Sequence, residues 1–228
     1  MPTLKLGDFL SAPASGDLLD TPYGQLGTYE LAEFLADWDH LHHQAVAQCS
    51  HRVHPTARIH PTAIIGNDVI IGPHAQVWEF STVRAGSVLC AGASIGFNCE
   101  VTKAVIGEGA MLGHRIGVNR TLVGAAAHLS ANVTVAAISM RSPDLRHPED
   151  EVFLRTADGL YRCGTPRFGA LIGDGVQTGN NISLGPGVAI GRGCRITSGV
   201  TLAARAVPAH STVGAPHVSD VRVRRQRR

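Results

Sequence analysis

Residues 53–101 read VHPTARIHPTAIIGNDVIIGPHAQVWEFSTVRAGSVLCAGASIGFNCEV, and in them an aliphatic residue recurs at every sixth position: Val53, Ile59, Ile65, Ile71, Val77, Val83, Leu89, Ile95 and Val101. Most are followed by a small or polar residue, with a small residue four places on. A fixed period of this length is an internal repeat, and it overrides any local propensity. Working outward, the series resumes after one-residue deletions as Ile106, Leu112, Val118 and then Val123, Leu129, Val135. It pauses over Arg141 to Phe168 and continues as Ile172, Thr178, Leu184, Ile190, Ile196 and Leu202.

Such hexads resemble the left-handed parallel β-helix family, in which three short strands make one triangular coil of about eighteen residues. Each aliphatic residue points into the prism and is buried only by its counterparts above and below. The expected fold is all-β, a left-handed parallel β-helix of about seven coils over residues 53–208, with a long inserted loop at 141–168. Val152, Phe153, Leu154, Leu160 and Tyr161 give that loop apolar content to pack, and Ala157-Asp158-Gly159 suits a hairpin turn. Gly, Asn and Asp fit corners that need unusual dihedrals.

Residues 1–52 precede the ladder. Pro2, Pro13, Gly16, Pro22 and Gly24 break the first part into an arm. From Thr28, read as an N-cap, the spacing of Leu31, Phe34, Leu35, Trp38 and Leu41 predicts one amphipathic helix to about Ala47. His40, His42 and His43 cluster near its end, but only His40 and His43 share a face and no cysteine or carboxylate completes a ligand set; a solvated helix end is expected.

The 228 residues are 44% hydrophobic but 5% aromatic, with 26 glycines, so Val, Ile, Leu and Ala build the core beside many turns. A net charge of +2 gives no nucleic-acid footprint; the one dense basic run is Arg222 to Arg228, in a tail spanning 209–228. Five cysteines without a CxxC spacing fit a reducing cytoplasm, and Cys99 and Cys194 fall at small-residue positions where packing is their role. No stretch reads as a signal peptide or a membrane span, so a cytoplasmic protein without membrane or nucleic-acid partners is expected.

Arg84, Lys103 and Arg120 occur in the third hexad of three successive coils, and stacking at inter-strand spacing predicts a cationic edge suited to an anion. His114 follows Gly113 in a middle hexad, at or near a corner, where an imidazole can exchange a proton at neutral pH.

The stretch RAGSVLCAGASIGFNCEVTKAVIGEGAMLGH, residues 84–114, resembles the acetyltransferase domain of the bifunctional N-acetylglucosamine-1-phosphate uridyltransferase family and the related C-terminal domains of archaeal sugar-1-phosphate nucleotidyltransferases. GALIGDGVQTGNNISLGPGVAIG, residues 169–191, resembles that family's next coils. Arg84, Lys103 and His114 fall on its arginine, its lysine and the catalytic histidine of its Gly-His pair. The resemblance implies that Arg84 and Lys103, with Arg120 beside them, bind the phosphate of an amino-sugar phosphate or nucleotide. His114 then serves as the general base, and acetyl-CoA is the donor, in a step that needs no metal. It also implies that Asn180 and Ser198 contact the donor and that a homotrimer forms, with active sites between neighbouring β-helices. The family's tyrosine three residues after the histidine is Gly117 here, and two of its asparagines are His128 and Ala137. Acceptor recognition must therefore differ, with His128 tuning it. Residues before Val53 are too few for the family's nucleotidyltransferase domain and carry no glycine-rich nucleotide loop. The expectation is a stand-alone N-acyltransferase. A non-catalytic sugar-nucleotide-binding scaffold is the alternative. A γ-carbonic-anhydrase-type metalloenzyme is disfavoured because His114 and His128 lack a third partner.

Overall fold

The computed structural model describes residues 2–14 and 16–215. The hexads build a parallel β-solenoid whose cross-section is a triangle. Face one is an eight-stranded parallel sheet running from Arg58–Ile59 through Gln76–Val77, Ser94–Ile95, Met111–Leu112, His128–Leu129, Gln177–Thr178 and Arg195–Ile196 to Thr212–Val213. Face two carries Ile64–Ile65, Thr82–Arg84, Val133–Val135, Ile182–Leu184 and Thr201–Leu202; face three carries Ile70–Ile71, Val88–Leu89, Ala170–Ile172, Val188–Ile190 and Arg205–Val207. Two seven-residue strands, Glu100–Ile106 and Gly117–Val123, turn the corner between faces two and three and belong to both.

Eight strands on one face make eight coils rather than about seven, and the ladder passes residue 208 to end at Val213. The step from Leu202 to Val207 is five residues, and this shortening hides the continuation from a six-residue count. The same step separates Val101 from Ile106 and Val118 from Val123. Each short step has a single left-handed residue at its corner: Lys103 at φ 47°, Arg120 at φ 46° and Ala204 at φ 47°. That region costs an L-residue about 1 kcal/mol, and stacked ladder hydrogen bonds on both sides hold it. The prism interior is filled by the inward residues, among them Ile71, Leu89, Ile106, Val123, Ile172 and Ile190, all buried. At some corners the coils approach so closely that only glycine fits: a Cβ on Gly96 would lie 1.7 Å from the Gly113 carbonyl oxygen.

A second core lies outside the prism. The residue before each inward position on face three is also apolar: Ile70, Val88, Val105, Leu122, Leu171 and Ala189. Successive strand residues point to opposite sides, so these six form an outward apolar stripe that something must cover. Helix α1, Leu31–Gln48, covers it with Leu31, Phe34, Trp38, Leu41 and Ala45, joined by Leu6, Leu10, Tyr23 and Leu26 of the arm. The helix begins three residues after Thr28: Glu30 is the N-cap and accepts from the Ala32 N–H, while the Thr28 hydroxyl donates to the Gln25 carbonyl instead. The arm itself contains two short 3-10 helices, Leu6–Asp8 and Pro22–Thr28.

The insertion leaves the solenoid at the corner between faces two and three and returns to the same corner. The Phe168 N–H donates to the Ala137 carbonyl, and the Gly169 N–H to the Arg120 carbonyl. Between these points Phe153–Thr156 and Gly159–Arg162 form an antiparallel hairpin. Tyr161 anchors it to α1, its hydroxyl donating to Glu30 and accepting from the Ala32 N–H at 2.8 Å. Among the described residues no helix is long and apolar enough to cross a membrane. The basic run Arg222 to Arg228 lies outside the described residues.

Candidate functional site

Three prism edges follow from the three faces, and two of them gather the residues of interest. The edge between faces one and two carries His114. Its backbone joins a row in which Asn98, Arg115, Asn132, Asn181 and Gly199 each donate an N–H to the coil below, to the carbonyls of Glu79, Phe97, His114, Ala131 and Asn180 in turn. His114 therefore stands in one row with Asn180 and, on the next coil, Ser198. The His114 side chain is exposed. Asn180 accepts through Oδ1 from the Ser130 hydroxyl at 2.6 Å and the Ala131 N–H at 3.0 Å, and its own N–H donates to the Ser198 hydroxyl at 2.9 Å. Alongside runs a polar ladder in which Arg115 Nε donates to Asn132 and Asn132 to Asn181, both at 2.9 Å. A shallow hollow of about 360 Å³ lies beside this edge, lined by Phe80, Asn98, Glu100, Arg115 and Gly117. His128 is exposed on face one, paired with Met111 below and Gln177 above.

The edge between faces two and three carries Lys103 and Arg120. The cationic row expected of Arg84, Lys103 and Arg120 is broken by register. Arg84 pairs with Thr102, and Thr102 with Asn119, so Arg84 stands one residue before the corner that Lys103 and Arg120 occupy. From there it points outward to an ion pair with Glu100. The corner equivalent to Lys103 in the Arg84 coil is Ala85-Gly86, both with positive φ. Gly86 is needed there, because the His42 ring lies 3.0 Å from where its Cβ would stand.

Lys103 is 7% exposed, unusually buried for a lysine. Its ammonium pairs with Asp39 of α1 and lies 5.4 Å from the centre of the Trp38 ring. The Lys103 hydrogen bond is the main reason the Asp39 carboxyl titrates below its usual range. Arg120 is half-buried; burial lowers its pKa, Asp39 opposes this and Arg167 adds to it. These groups meet in a cleft of about 550 Å³ between α1, the corner and the end of the insertion, lined in part by Asp39, His43, Lys103, Asn119, Arg120 and Arg167.

The helix-end histidines are not simply solvated. His42 is buried, with Nδ1 2.8 Å from the Tyr23 hydroxyl and Nε2 2.6 Å from the Asp68 carbonyl. A carbonyl only accepts, so Nε2 carries the proton and Nδ1 accepts from Tyr23, whose oxygen accepts in turn from Trp38 Nε1 at 3.3 Å. Burial lowers the pKa of His42 and keeps the ring neutral in this chain. Among the described residues no three His, Cys, Asp or Glu side chains converge as a metal site. Cys99 and Cys194 are buried in the prism, and the thiols of Cys90 and Cys163 are pushed up to about 12 by burial. Asp39 and His43 reach the cleft from α1 and Arg167 from the end of the insertion, so no local pattern joins them to Lys103 and Arg120; only the proximity of Asp39 to the apolar stripe of α1 hints at it.

The site residues thus divide. His114, Asn180 and Ser198 share one edge; Lys103 and Arg120 share another; Arg84 and His128 lie on flat faces two and one. Face two separates His114 from Arg120, six residues and so at most about 20 Å of extended chain.

Comparison with known proteins adds the following. Residues 48–143 match the family described as the GMPPB C-terminal domain, and residues 169–204 match the bacterial transferase hexapeptide family of six repeats. Curated protein sequences give no match. Among solved structures, the polySia-specific acetyltransferase NeuO is 14% identical, covering 71% of this chain and 77% of its own, with a TM-score of 0.44. AntD, an N-acyltransferase from Bacillus cereus crystallised with dTDP and 3-hydroxybutyryl-CoA, is 16% identical over 72% of this chain and 77% of its own, TM-score 0.39. The acetyltransferase domain of PglB from Neisseria gonorrhoeae FA1090 is 20% identical over 76% of this chain and 63% of its own, TM-score 0.31. The hexapeptide repeat and the solenoid it builds rest on the two family matches and on the strand pairing.

Proposed function

We propose that the protein is an acyl-CoA-dependent acyltransferase that N-acylates an amine on a sugar phosphate or sugar nucleotide, with His114 as general base. The observation that carries the proposal is the row on the edge between faces one and two. His114 stands in line with Asn180 and Ser198, the residues to which the family resemblance gives the acyl donor, and both lie within the segment matching the hexapeptide transferases. Acyl transfer from a thioester needs the amine as a free base, and a proton is shed as the tetrahedral intermediate forms; an exposed imidazole can take it. Corner N–H groups are candidates to hold the oxyanion. Acetyl-CoA is the simplest donor. Acceptor phosphate on Lys103 and Arg120 meets the His114 edge only if the two edges come from neighbouring copies, which a homotrimer provides. His128 then faces the acceptor from face one.

The test is free-thiol release from acetyl-CoA against a panel of amino-sugar phosphates and nucleotides. Turnover is expected with at least one acceptor, and His114→Ala should abolish it while leaving the far-UV circular dichroism and melting temperature unchanged. Undiminished turnover by that variant refutes the role of His114.

Two observations favour a second reading, a sugar-nucleotide-binding scaffold without catalysis. Lys103, the resemblance's phosphate ligand, is already held by Asp39, and the long N-terminal match is to a C-terminal domain of the GMPPB type. Calorimetric titration with acetyl-CoA separates the two, since a scaffold of that kind takes up no acyl donor.

A further inference from the structure

The edge that carries His114 also carries an aromatic pair that proton transfer does not use. Phe80 is 59% exposed and Phe97 39%, and the two rings meet edge to face, centres 5.8 Å apart and planes at 90°. Register places Phe80 in one column with Asn98 and Arg115, since Val77 pairs with Ile95 and Ile95 with Leu112, three residues before each. All three turn the corner in the left-handed region, Phe80 at φ 57°. Asparagine tolerates that turn and recurs in it as Asn132 and Asn181, but a bulky residue is an outlier there. A phenylalanine held in this turn, more than half in solvent, gains little from packing within its own chain.

Phe80 walls one end of the hollow of about 360 Å³, whose floor is made by Thr82, Glu100 and Gly117 from three successive coils. Gly117 keeps it open. The family that the chain resembles has a tyrosine at this position, whereas here a Cβ would meet nothing within 4 Å. The space is therefore a feature of this chain rather than of that family. Its direction matters too. Along the row of the edge, Phe97 stands one coil before His114, while Asn180 and Ser198 stand two and three coils after it. The hollow and the residues given to the acyl donor thus lie on opposite sides of His114, and the hollow falls to the acceptor.

We infer that this hollow holds the base of a sugar nucleotide against Phe80 and Phe97, so that the acceptor is nucleotide-linked rather than a sugar 1-phosphate. The inference rests on the reading of His114 as general base, which sets the sugar amine at one end of the hollow. Phe80 is two coils from there, about 10 Å at the inter-strand spacing. A sugar 1-phosphate ends at its phosphate; a sugar nucleotide continues through a diphosphate and a ribose to a flat ring. Arg115, engaged among the described residues only through Nε with Asn132, stands between the two ends beside the path of that diphosphate. The rings offer the base a π-face, a contact that every base can use. In the plane of the base, the Asn98 amide both donates and accepts, and the Glu100 carboxylate accepts from ring or exocyclic N–H groups.

Isothermal titration of the full chain with UDP, GDP, ADP, CDP and dTDP, with glucosamine 1-phosphate and with acetyl-CoA tests this. At least one nucleoside diphosphate should bind saturably and more tightly than the sugar 1-phosphate. Phe80→Ala should weaken it by about fivefold or more, the loss of one stacked ring. Gly117→Tyr fills the hollow and should weaken it at least as much, and it serves if Phe80→Ala does not fold. Both variants should bind acetyl-CoA as the wild type does. Nucleoside diphosphate binding with this pattern but no acyl transfer to any acceptor removes the role of His114 and leaves the base site standing. The inference is overturned by no saturable binding of any nucleoside diphosphate, by binding that neither variant weakens, or by a sugar 1-phosphate that binds as tightly. Weakened acetyl-CoA binding in Phe80→Ala, which gives the rings to the adenine of the donor, also overturns it. So does a changed oligomeric state of Phe80→Ala on size-exclusion chromatography, which makes the pair a contact between copies.

Discussion

Replacing Trp38 by alanine tests how firmly α1 is seated on the solenoid. Trp38 is buried, with its ring 5.1 Å from that of Phe34, Lys103 over its face and its indole N–H directed at Tyr23. Truncating a buried tryptophan costs about 3–5 kcal/mol in transfer and cavity terms. The cation–π contact adds about 0.5–1 kcal/mol. The indole hydrogen bond contributes about 0.5 kcal/mol, at the low end because it is 3.3 Å long and Tyr23 still donates to His42 when it is gone. The sum is a loss of about 4–6.5 kcal/mol. Urea unfolding followed by circular dichroism gives the measured value, and Asp37→Ala, an exposed change on the same helix, should fall within about 0.5 kcal/mol of wild type. A Trp38→Ala loss below about 1.5 kcal/mol refutes the second core as the seat of α1.

The Asp39 carboxyl has a folded pKa below its unfolded value, so the pair stabilises the fold fully above the ordinary aspartate range and loses that contribution as pH falls through the folded pKa. The urea midpoints of wild type and Asp39→Asn should accordingly converge as the pH falls from above the ordinary aspartate range through the folded pKa; a constant gap contradicts the assignment. Gly96→Ala places a methyl group 1.7 Å from a carbonyl oxygen and should cost about 3 kcal/mol or more, seen as a lowered melting temperature. Gly117→Ala, with open space around it, is the control and should melt close to wild type.

The ladder was legible because one aliphatic residue per hexad has no other use than filling the prism. The shortened steps were visible too, but only as deletions; that they are tight corners with Lys103 and Arg120 in the left-handed region depends on backbone dihedrals that a spacing does not encode. The covered face left a signal: the pairs Ile70-Ile71, Val88-Leu89, Val105-Ile106, Leu122-Val123, Leu171-Ile172 and Ala189-Ile190 place two apolar residues side by side, one for each side of the wall. In the candidate site, the place of His114 at an edge follows from the count of hexads. The partnership of Lys103 with Asp39 does not, since it joins residues 64 apart through a helix whose docking angle no local pattern specifies. Arg84 illustrates the finer limit, because a displacement of one residue sends its side chain to Glu100 instead of the cleft.

The arm that precedes α1 travels against the direction of the stack along the third edge, between faces three and one. Gly7 and Asp8 take hydrogen bonds from Arg192, Ser11 bonds to Asp174, the Ala14 N–H reaches Glu108, and Gly16 rests against Pro73. Coils of a solenoid ordinarily feel only their nearest neighbours, so such a stack can fray from either end one rung at a time. A single tether touching early, middle and late rungs couples them at long range. Opening the late coils must first break the arm's bonds at Gly7, Asp8 and Ser11, so the arm opposes fraying from that end in a way the ladder alone does not.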